Sequence, residues 1–156
     1  MPTFEFKNAQ DLARVFATHG VRHLFFGKSG AILHGFSDTT QDMDLYVEKE
    51  SGNAEKLADA LSELGFRLTE KEQDEVRRGK GLIQLRNGPF DLDLIFAPDG
   101  IEQFEDAWKR HVERDGLPVA SLDDIIASKS AANRQRDRES LPRLLSFRDW
   151  LRKKEL

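Results

Sequence analysis

Residues 25–47 read FFGKSGAILHGFSDTTQDMDLYV, and this stretch decides the fold. It continues an apolar strand predicted over residues 21–26, passes through a turn of small residues, and reaches a second strand predicted over residues 43–47. Between the two strands, residues 31–33 indicate a short helix that ends at Gly35. A strand followed by a small-residue turn and a helix is an arrangement that commonly binds phosphate.

Two pairs of aspartates with the same spacing stand out. Asp42 and Asp44 are two residues apart on the second strand, so both side chains project from one face. One such pair is typically a solvated strand edge, but Asp91 and Asp93 repeat the spacing on a later strand. Four neighbouring carboxylates would raise one another's pKa unless a cation neutralises them. The pattern therefore predicts a site for Mg²⁺ or Mn²⁺, which prefer such oxygen ligands.

The third metal ligand is expected on the strand that carries the second pair. Asp93 is the preferred residue because the strand continues beyond it through residues 94–96. Asp91 lies closer to the preceding turn, where it would be a metal ligand, an outer contact or a surface group.

The remaining pattern predicts an α+β fold with a mixed sheet, flanking helices and a helical C-terminal tail. The hairpin signal Asn87-Gly88 joins two of the expected strands. Pro142 is expected in the first turn of the last helix. The helices are predicted over residues 9–19, 53–64, 121–133 and 141–154, and the further strands over residues 66–68, 82–86 and 90–96.

Length and composition limit the functional classes. The 156 residues suit a single domain, with a core over about residues 9–100 and a tail over 101–156. The absence of cysteine excludes disulfides, thiolate catalysis and iron–sulfur clusters. No run of about 18 apolar residues and no basic leader occurs, so a cytoplasmic protein without a membrane partner is expected.

Charge is distributed unevenly along the chain. The net charge is −4, yet residues 1–108 hold 12 basic and 20 acidic side chains, whereas residues 109–156 hold 12 basic and 8 acidic ones. The basic end of the chain is either a solvated helical surface or a surface that attracts a polyanion.

These residues resemble the nucleotidyltransferase superfamily related to DNA polymerase beta. That pattern is a glycine followed by glycine or serine, a spacer of about ten residues, an aspartate pair and a third carboxylate on a later strand. The chain is more closely similar to the small bacterial branch that contains the AbiEii-type toxins of type IV toxin–antitoxin systems. His34-Gly35 and Thr40 stand where that branch often has histidine-glycine and threonine. The resemblance covers most of residues 20–145.

The resemblance implies a magnesium-dependent transfer of a nucleoside monophosphate from a nucleoside triphosphate, such as ATP, to a hydroxyl acceptor. Asp42, Asp44 and Asp93 would be catalytic. The acceptor would be tRNA, as in a toxin, or another hydroxyl compound, and a cognate antitoxin would be a partner. The implied nucleotide-binding residues are Gly27, Lys28, Ser29, Thr40, Lys129 and Asp137.

Two positions depart from the family pattern and keep an alternative open. Lys28 stands where the family usually has glycine or serine, and Asp38 stands where arginine is common. The alternative is a catalytically inactive protein of the same fold that binds nucleotide or acts as a toxin–antitoxin partner. His34 is expected to be a packed residue rather than a catalytic one. A P-loop is excluded because Arg22 stands where that motif needs glycine.

Overall fold

The computed structural model of the chain describes residues 4–49, 53–79 and 81–155. The strands are β1 His23–Phe25, β2 Asp42–Val47, β3 Leu82–Leu85, β4 Asp91–Ile95, β5 Val112–Arg114 and β6 Leu117–Val119. The helices are α1 Phe6–Thr18, α2 Gly27–Leu33, α3 Asn53–Leu64, α4 Glu70–Arg78, α5 Phe104–Arg110, α6 Leu122–Ala132 and α7 Gln135–Lys154. None of these helices is both long enough and apolar enough to cross a membrane.

The six strands form one mixed sheet in the order β3-β4-β2-β1-β6-β5. Strand β2 runs antiparallel to β1 and parallel to β4. In the parallel pair, Asp42 lies opposite Asp91 and Asp44 lies opposite Asp93. The register therefore brings the two aspartate pairs side by side, as their common spacing predicted, and the α+β class with a mixed sheet is confirmed.

The alternation of β2 divides its side chains between two hydrophobic clusters. Met43 and Leu45 are buried on the face that packs against α1 and α3. Tyr46 is buried on the other face, beneath α5 and α6, in a cluster with Phe104. Because side chains two residues apart share a face, the aspartates of β2 lie on the same side of the sheet as Tyr46.

Several elements follow the prediction closely. Helix α3 begins and ends at the predicted residues, 53 and 64, and Gly65 follows it with a positive φ of 104°. Strands β3 and β4 form the predicted antiparallel hairpin. The connection between them is longer than predicted, because β3 ends at Leu85 instead of Arg86 and β4 begins at Asp91 instead of Phe90. Gly88 has no room for a Cβ because the Phe66 ring packs on its backbone.

The strand predicted over residues 66–68 is wrong, and the helix α4 that follows was not predicted. Phe66 is buried and packs edge-on against Phe90 without belonging to the sheet. Helix α4 is highly charged, so it lacks an apolar periodicity. Its start was marked only by a capping box, in which Thr69 and Glu72 bond to each other's backbone N–H.

The short second helix and the last helix both begin earlier than predicted. Helix α2 already begins at Gly27, so the predicted turn is its first turn. Helix α7 begins at Gln135, which places Pro142 inside the helix rather than in its first turn. A proline there removes one backbone hydrogen bond, and the long helix tolerates this loss.

The chain after residue 100 is not purely helical. It contributes the hairpin β5–β6, and β6 pairs in parallel with β1 in the middle of the sheet. The C-terminal third therefore completes the sheet before it forms the final helices α6 and α7.

Candidate active site

A cavity of about 760 Å³ opens at the edge of the sheet where β1 ends and β2 and β4 begin. Strands supply the carboxylates of Asp42, Asp44 and Asp93. Helices α2, α6 and α7 supply cationic side chains to the same cavity, namely Lys28, Lys129 and Arg136. The topology thus brings acidic and basic groups that are up to 94 residues apart in the sequence into one space.

Gly27 lies at the point where β1 leads into α2, directly against Asp44. Its φ is 56°, in the left-handed region that favours glycine. A Cβ at this position would lie 2.5 Å from Asp44 Oδ2. Glycine is therefore required here both for the backbone conformation and for the position of the Asp44 carboxylate.

Ser29 ties this turn to the acidic strand. Its hydroxyl is fully buried, accepts a hydrogen bond from Asp44 N at 3.0 Å and donates one to Phe26 O at 3.0 Å. The Phe26 amide also donates to Asp44 O at 2.9 Å. Ser29 does not line the cavity, so the structure places its hydroxyl inside the fold, where it positions Asp44.

Asp44 carries a charge that the surrounding protein stabilises poorly. Burial raises its pKa to about 7, and the negative charges of Asp93 and Asp42 act in the same direction. The positive charge of Lys129 and the Ser29 backbone contact oppose the shift without cancelling it. Burial also raises the pKa of Asp93. The aspartate cluster therefore holds more negative charge than its environment compensates.

Arg86 is the residue of this cluster that sequence reasoning missed. Its Nη2 lies 2.8 Å from Asp93 Oδ1 and 3.5 Å from Asp42 Oδ2. It directly follows β3, so the hairpin that positions Asp93 also positions its counter-charge. The only available signal was an arginine just before the Asn87-Gly88 turn, which sequence alone does not distinguish from a solvated side chain.

The aspartates suit a divalent metal chemically but are not arranged as a finished metal site. Among residues 4–49, 53–79 and 81–155, no three His, Asp or Glu side chains are grouped so as to hold a metal ion as they stand. Asp93 Oδ1 is buried and accepts no well-directed hydrogen bond, even though Arg86 Nη2 is close. Hard oxygen donors with uncompensated charge fit Mg²⁺ or Mn²⁺, and Arg86 is the cation that such an ion would replace.

Lys129 lies on the helical side of the cavity, next to a buried carboxylate. Its Nζ is 3.8 Å from Asp137 Oδ1, and burial lowers the pKa of Lys129. Asp137 is itself completely buried and accepts a hydrogen bond from Arg134 Nε at 2.7 Å. Asp137 thus connects the end of α6 to the start of α7 and keeps the Lys129 side chain at the cavity.

The remaining predicted residues differ in how close they come to the cavity. Thr40 lines it, and its Oγ1 accepts a hydrogen bond from Asp42 N at 3.3 Å. Asp91 does not line it, which leaves Asp93 as the carboxylate that β4 contributes. His34 is buried away from it, with its Nε2 2.8 Å from Ala120 O and its Nδ1 accepting from Arg114 Nε. The packed role expected for His34 agrees with these contacts.

Two solved structures resemble this chain over nearly its whole length. The lincosamide antibiotic adenylyltransferase LnuA, solved with lincomycin bound, shares 14% identity with a TM-score of 0.65, and the match covers 92% of this chain and 98% of LnuA. TM1012 of Thermotoga maritima, assigned to the nucleotidyltransferases, shares 16% identity with a TM-score of 0.51, and covers 94% and 92% of the two chains. The chain has the nucleotidyltransferase fold. No protein-family model and no curated protein sequence matches it.

Within this nucleotidyltransferase fold, most of the predicted site residues meet at one edge of the sheet. Of the predicted residues, Gly27, Lys28, Thr40, Asp42, Asp44, Asp93 and Lys129 line the cavity, whereas Ser29, Asp91 and Asp137 lie outside it. At these identities the two matches establish the fold alone. The likeness to the AbiEii-type branch stays a prediction.

Proposed function

We propose that the chain is a nucleotidyltransferase, which moves a nucleoside monophosphate from a nucleoside triphosphate such as ATP to a hydroxyl acceptor. One observation carries the proposal. The aspartates of β2 and β4 share a single cavity with the lysines of α2 and α6. A triphosphate with a divalent cation is a ligand that needs both kinds of group, because the cation takes carboxylates and the phosphates take ammonium groups.

Asp42, Asp44 and Asp93 would hold Mg²⁺ or Mn²⁺ at this site. When bound, the ion supplies neutralisation of phosphate charge and makes an attacking hydroxyl more acidic. The chain itself fixes the position of the Asp44 carboxylate, through the Ser29 hydroxyl and the close fit of Gly27.

In the proposed reaction, the acceptor oxygen bonds to the α-phosphorus while the bond from that phosphorus to the β-phosphate bridging oxygen breaks. Asp93 would take the proton of the acceptor hydroxyl. Pyrophosphate leaves with the electron pair of the broken bond. Lys129 offsets the charge that develops on it, which is the main contribution a protein can make to phosphoryl transfer.

For the acceptor we favour a small hydroxyl compound over tRNA. Most arginines at the basic end of the chain are held by bonds to groups of the protein itself, which leaves few of these side chains free to reach a polyanion. The arginines with such bonds are Arg134, Arg138, Arg143, Arg148 and Arg152. The fold neighbour LnuA, an antibiotic adenylyltransferase solved with lincomycin, is consistent with this preference. tRNA is the second candidate, and its partner antitoxin rests on the sequence resemblance alone.

Transfer of label from each α-labelled nucleoside triphosphate tests the proposal. The acceptors are a panel of hydroxyl-bearing antibiotics and metabolites, total RNA and a protein lysate. We expect labelled product that requires Mg²⁺ or Mn²⁺ and disappears in Asp44→Ala. The absence of labelled product with every acceptor and every nucleotide would contradict the proposal.

The second candidate is an inactive protein of the same fold that binds nucleotide. The observation in its favour is Arg86, which already neutralises two of the aspartates. This candidate predicts a wild type that binds a triphosphate but transfers no label, even when metal is in excess. The same transfer assay, combined with a nucleotide-binding measurement, separates the two candidates.

A further inference from the structure

We propose that Lys28 binds the outer phosphates of the nucleotide and that Asp38 competes for the same ammonium group, so that this pair makes the site select triphosphates over monophosphates. The proposal rests on the proposed function and names the determinant of its nucleotide selectivity. It concerns the two positions at which the sequence departs from the family pattern.

The two departures contact each other in the structure. Lys28 Nζ lies 3.7 Å from Asp38 Oδ2, across the loop that joins α2 to β2. Lys28 lines the cavity, whereas Asp38 does not. The pair therefore sits at the boundary of the cavity, with the cation on the inside and the anion on the outside.

Asp38 is held in place by contacts other than Lys28. Its Oδ1 accepts a hydrogen bond from Thr39 N at 2.7 Å, and its Oδ2 lies 3.6 Å from Arg143 Nη1 of α7. Arg143 also donates to Ser37 O at 2.8 Å and lies over the Phe36 ring. The carboxylate therefore stays where it is when its lysine partner leaves.

Lys28 has no comparable restraint. Its side chain is 41% exposed, and among residues 4–49, 53–79 and 81–155 the only ion pair it makes is the one with Asp38. A lysine stem has four rotatable bonds, and a solvent-exposed ion pair contributes little to stability. The ammonium group can thus exchange the carboxylate for a phosphate at little cost.

The position of Lys28 favours the outer phosphates. In the proposed reaction the α-phosphate has to lie next to the aspartates, because these would hold the metal ion and take the proton of the acceptor. Lys28 and Lys129 line the same cavity, and burial together with the positive charge of Lys28 lowers the pKa of Lys129. Two ammonium groups that repel each other are stabilised by an anion with several charges, such as the β- and γ-phosphates.

The pairing gives a physical reason for having both departures in one chain. Without Lys28, Asp38 would keep only Arg143 as its counter-charge and would repel phosphate at the cavity, and without Asp38 the charge of Lys28 would increase the repulsion on Lys129. The pair therefore offsets part of each charge at the edge of the cavity. A ligand with enough negative charge displaces the carboxylate, and a ligand with one phosphate competes poorly.

The experiment measures binding of ATP, ADP and AMP to the full chain by isothermal titration calorimetry in the presence of Mg²⁺. We expect Lys28→Met to weaken ATP binding about tenfold, the scale of a lost charge-assisted hydrogen bond, with a smaller effect on ADP and less than a twofold effect on AMP. We expect Asp38→Asn to tighten ATP binding about two- to fivefold, the scale of an exposed ion pair. In the Lys28→Met background, Asp38→Asn should tighten ATP binding less than it does in the wild type, because competition for Lys28 is gone and only the repulsion between Asp38 and phosphate is relieved.

Matched controls remove one charge elsewhere. Lys153→Met and Asp149→Asn alter exposed residues of α7 outside the cavity, and we expect nucleotide binding to stay within twofold of the wild type. Thermal melting of every variant shows whether it is folded. A variant that melts like the wild type but binds differently reports on the site.

Different failures have different meanings. If the wild type binds ATP and transfers label while Lys28→Met binds ATP equally well, the role of Lys28 is overturned and the proposed function stands. If Asp38→Asn weakens ATP binding, Asp38 positions Lys28 instead of competing for it, which overturns the competition. If the wild type neither binds nor transfers a nucleotide, the proposed function itself fails.

Discussion

The acidic cluster of β2 and β4 and the basic helix α7 differ in how far their charged side chains are paired within the protein. In the cluster, Asp42 and Asp93 share the single guanidinium of Arg86, and the pKa of Asp44 is raised to about 7. In α7, Arg148 and Arg152 both donate to Asp123 of α6, and Arg143 bonds to the loop before β2. The aspartates of the acidic region lack sufficient positive charge around them, whereas the arginines of the basic region are held by bonds within the protein, two of them to one carboxylate.

This difference indicates which of the two charged regions binds a ligand. Exposed, internally paired charges contribute little to stability and present little net field to a partner. Buried, poorly compensated charges destabilise the protein until a cation arrives, and they are the ones that mark a functional site. The sequence suggested a ligand for both regions. In the structure it is mainly the aspartates that lack compensating positive charge.

The largest effect is expected for Asp44→Asn, which should change activity and stability in opposite directions. We expect kcat for nucleotidyl transfer to fall about a thousandfold or more, because a metal ligand accounts for several kcal/mol of transition-state stabilisation. The metal-free variant should nevertheless be more stable than the wild type at pH 8, because a poorly solvated charge has been removed. Steady-state transfer kinetics and urea unfolding in EDTA measure the two effects. A variant that keeps more than a tenth of wild-type kcat would contradict the assignment.

The second effect is a decrease in the stability of the metal-free protein with rising pH. The folded pKa of Asp44 is about 7, above the ordinary value of 3.8, so the folded state binds more protons than the unfolded state between these values. The free energy of unfolding must then fall as pH rises from about 4 to about 7, and level off above. The loss attributable to Asp44 should be on the order of 2–4 kcal/mol.

Urea unfolding in EDTA at a series of pH values between 4 and 8 tests this dependence, with Asp44→Asn as the reference. The difference between the two proteins isolates the contribution of Asp44 from those of other titrating groups. Mg²⁺ should raise the melting temperature of the wild type more at pH 8 than at pH 5. A difference between wild type and variant that does not change with pH would refute the prediction.

Arg86→Gln should have a smaller effect, and metal should reduce it. Without metal, we expect the variant to lose about 1 kcal/mol of stability, because Asp42 and Asp93 lose their shared counter-charge. With saturating Mg²⁺ the difference from the wild type should shrink by at least half, since the ion takes over that role. Melting curves with EDTA and with Mg²⁺ provide the comparison. The prediction is wrong if metal enlarges the difference.

The smallest effect is expected for Asp123→Asn, which tests the paired state of α7. Loss of the Asp123 charge removes the ion pairs of Arg148 and Arg152 and should lower the stability by less than about 1 kcal/mol. The binding of fluorescent tRNA, weak in the wild type, should become up to about twofold tighter at low salt, with a steeper salt dependence. Fluorescence anisotropy at two salt concentrations measures this. Tight, strongly salt-dependent tRNA binding by the wild type would contradict the comparison and favour tRNA as the acceptor.

Local patterns allowed much of the fold to be predicted. Helix α3 has a regular leucine spacing and a terminal glycine, and the strands β2 and β4 alternate acidic and apolar residues. Helix α4 and the hairpin β5–β6 were missed because they lack such patterns. The former is almost entirely charged, and the latter consists of two three-residue strands whose pairing depends on β1.

The candidate site could be predicted in part for the same reason. The aspartate pairs share a spacing that is visible in one dimension, so Asp42, Asp44 and Asp93 could be predicted as one group, and the structure places them around one cavity. Arg86 was missed because its importance lies in a distance to residues on two other strands. The buried orientation of the Ser29 hydroxyl likewise depends on how the turn meets β2.

By itself, the sequence determined the alternation of β2 and β4, and with it the face on which the carboxylates lie, because side-chain direction in a strand follows from position alone. Only the tertiary structure decided which charges meet. The strand register placed Asp44 beside Asp93, the hairpin brought Arg86 to them, and the loop before β2 paired Lys28 with Asp38. Electrostatic interactions depend on distance in space, so the partners of a charge emerge only when the chain has folded.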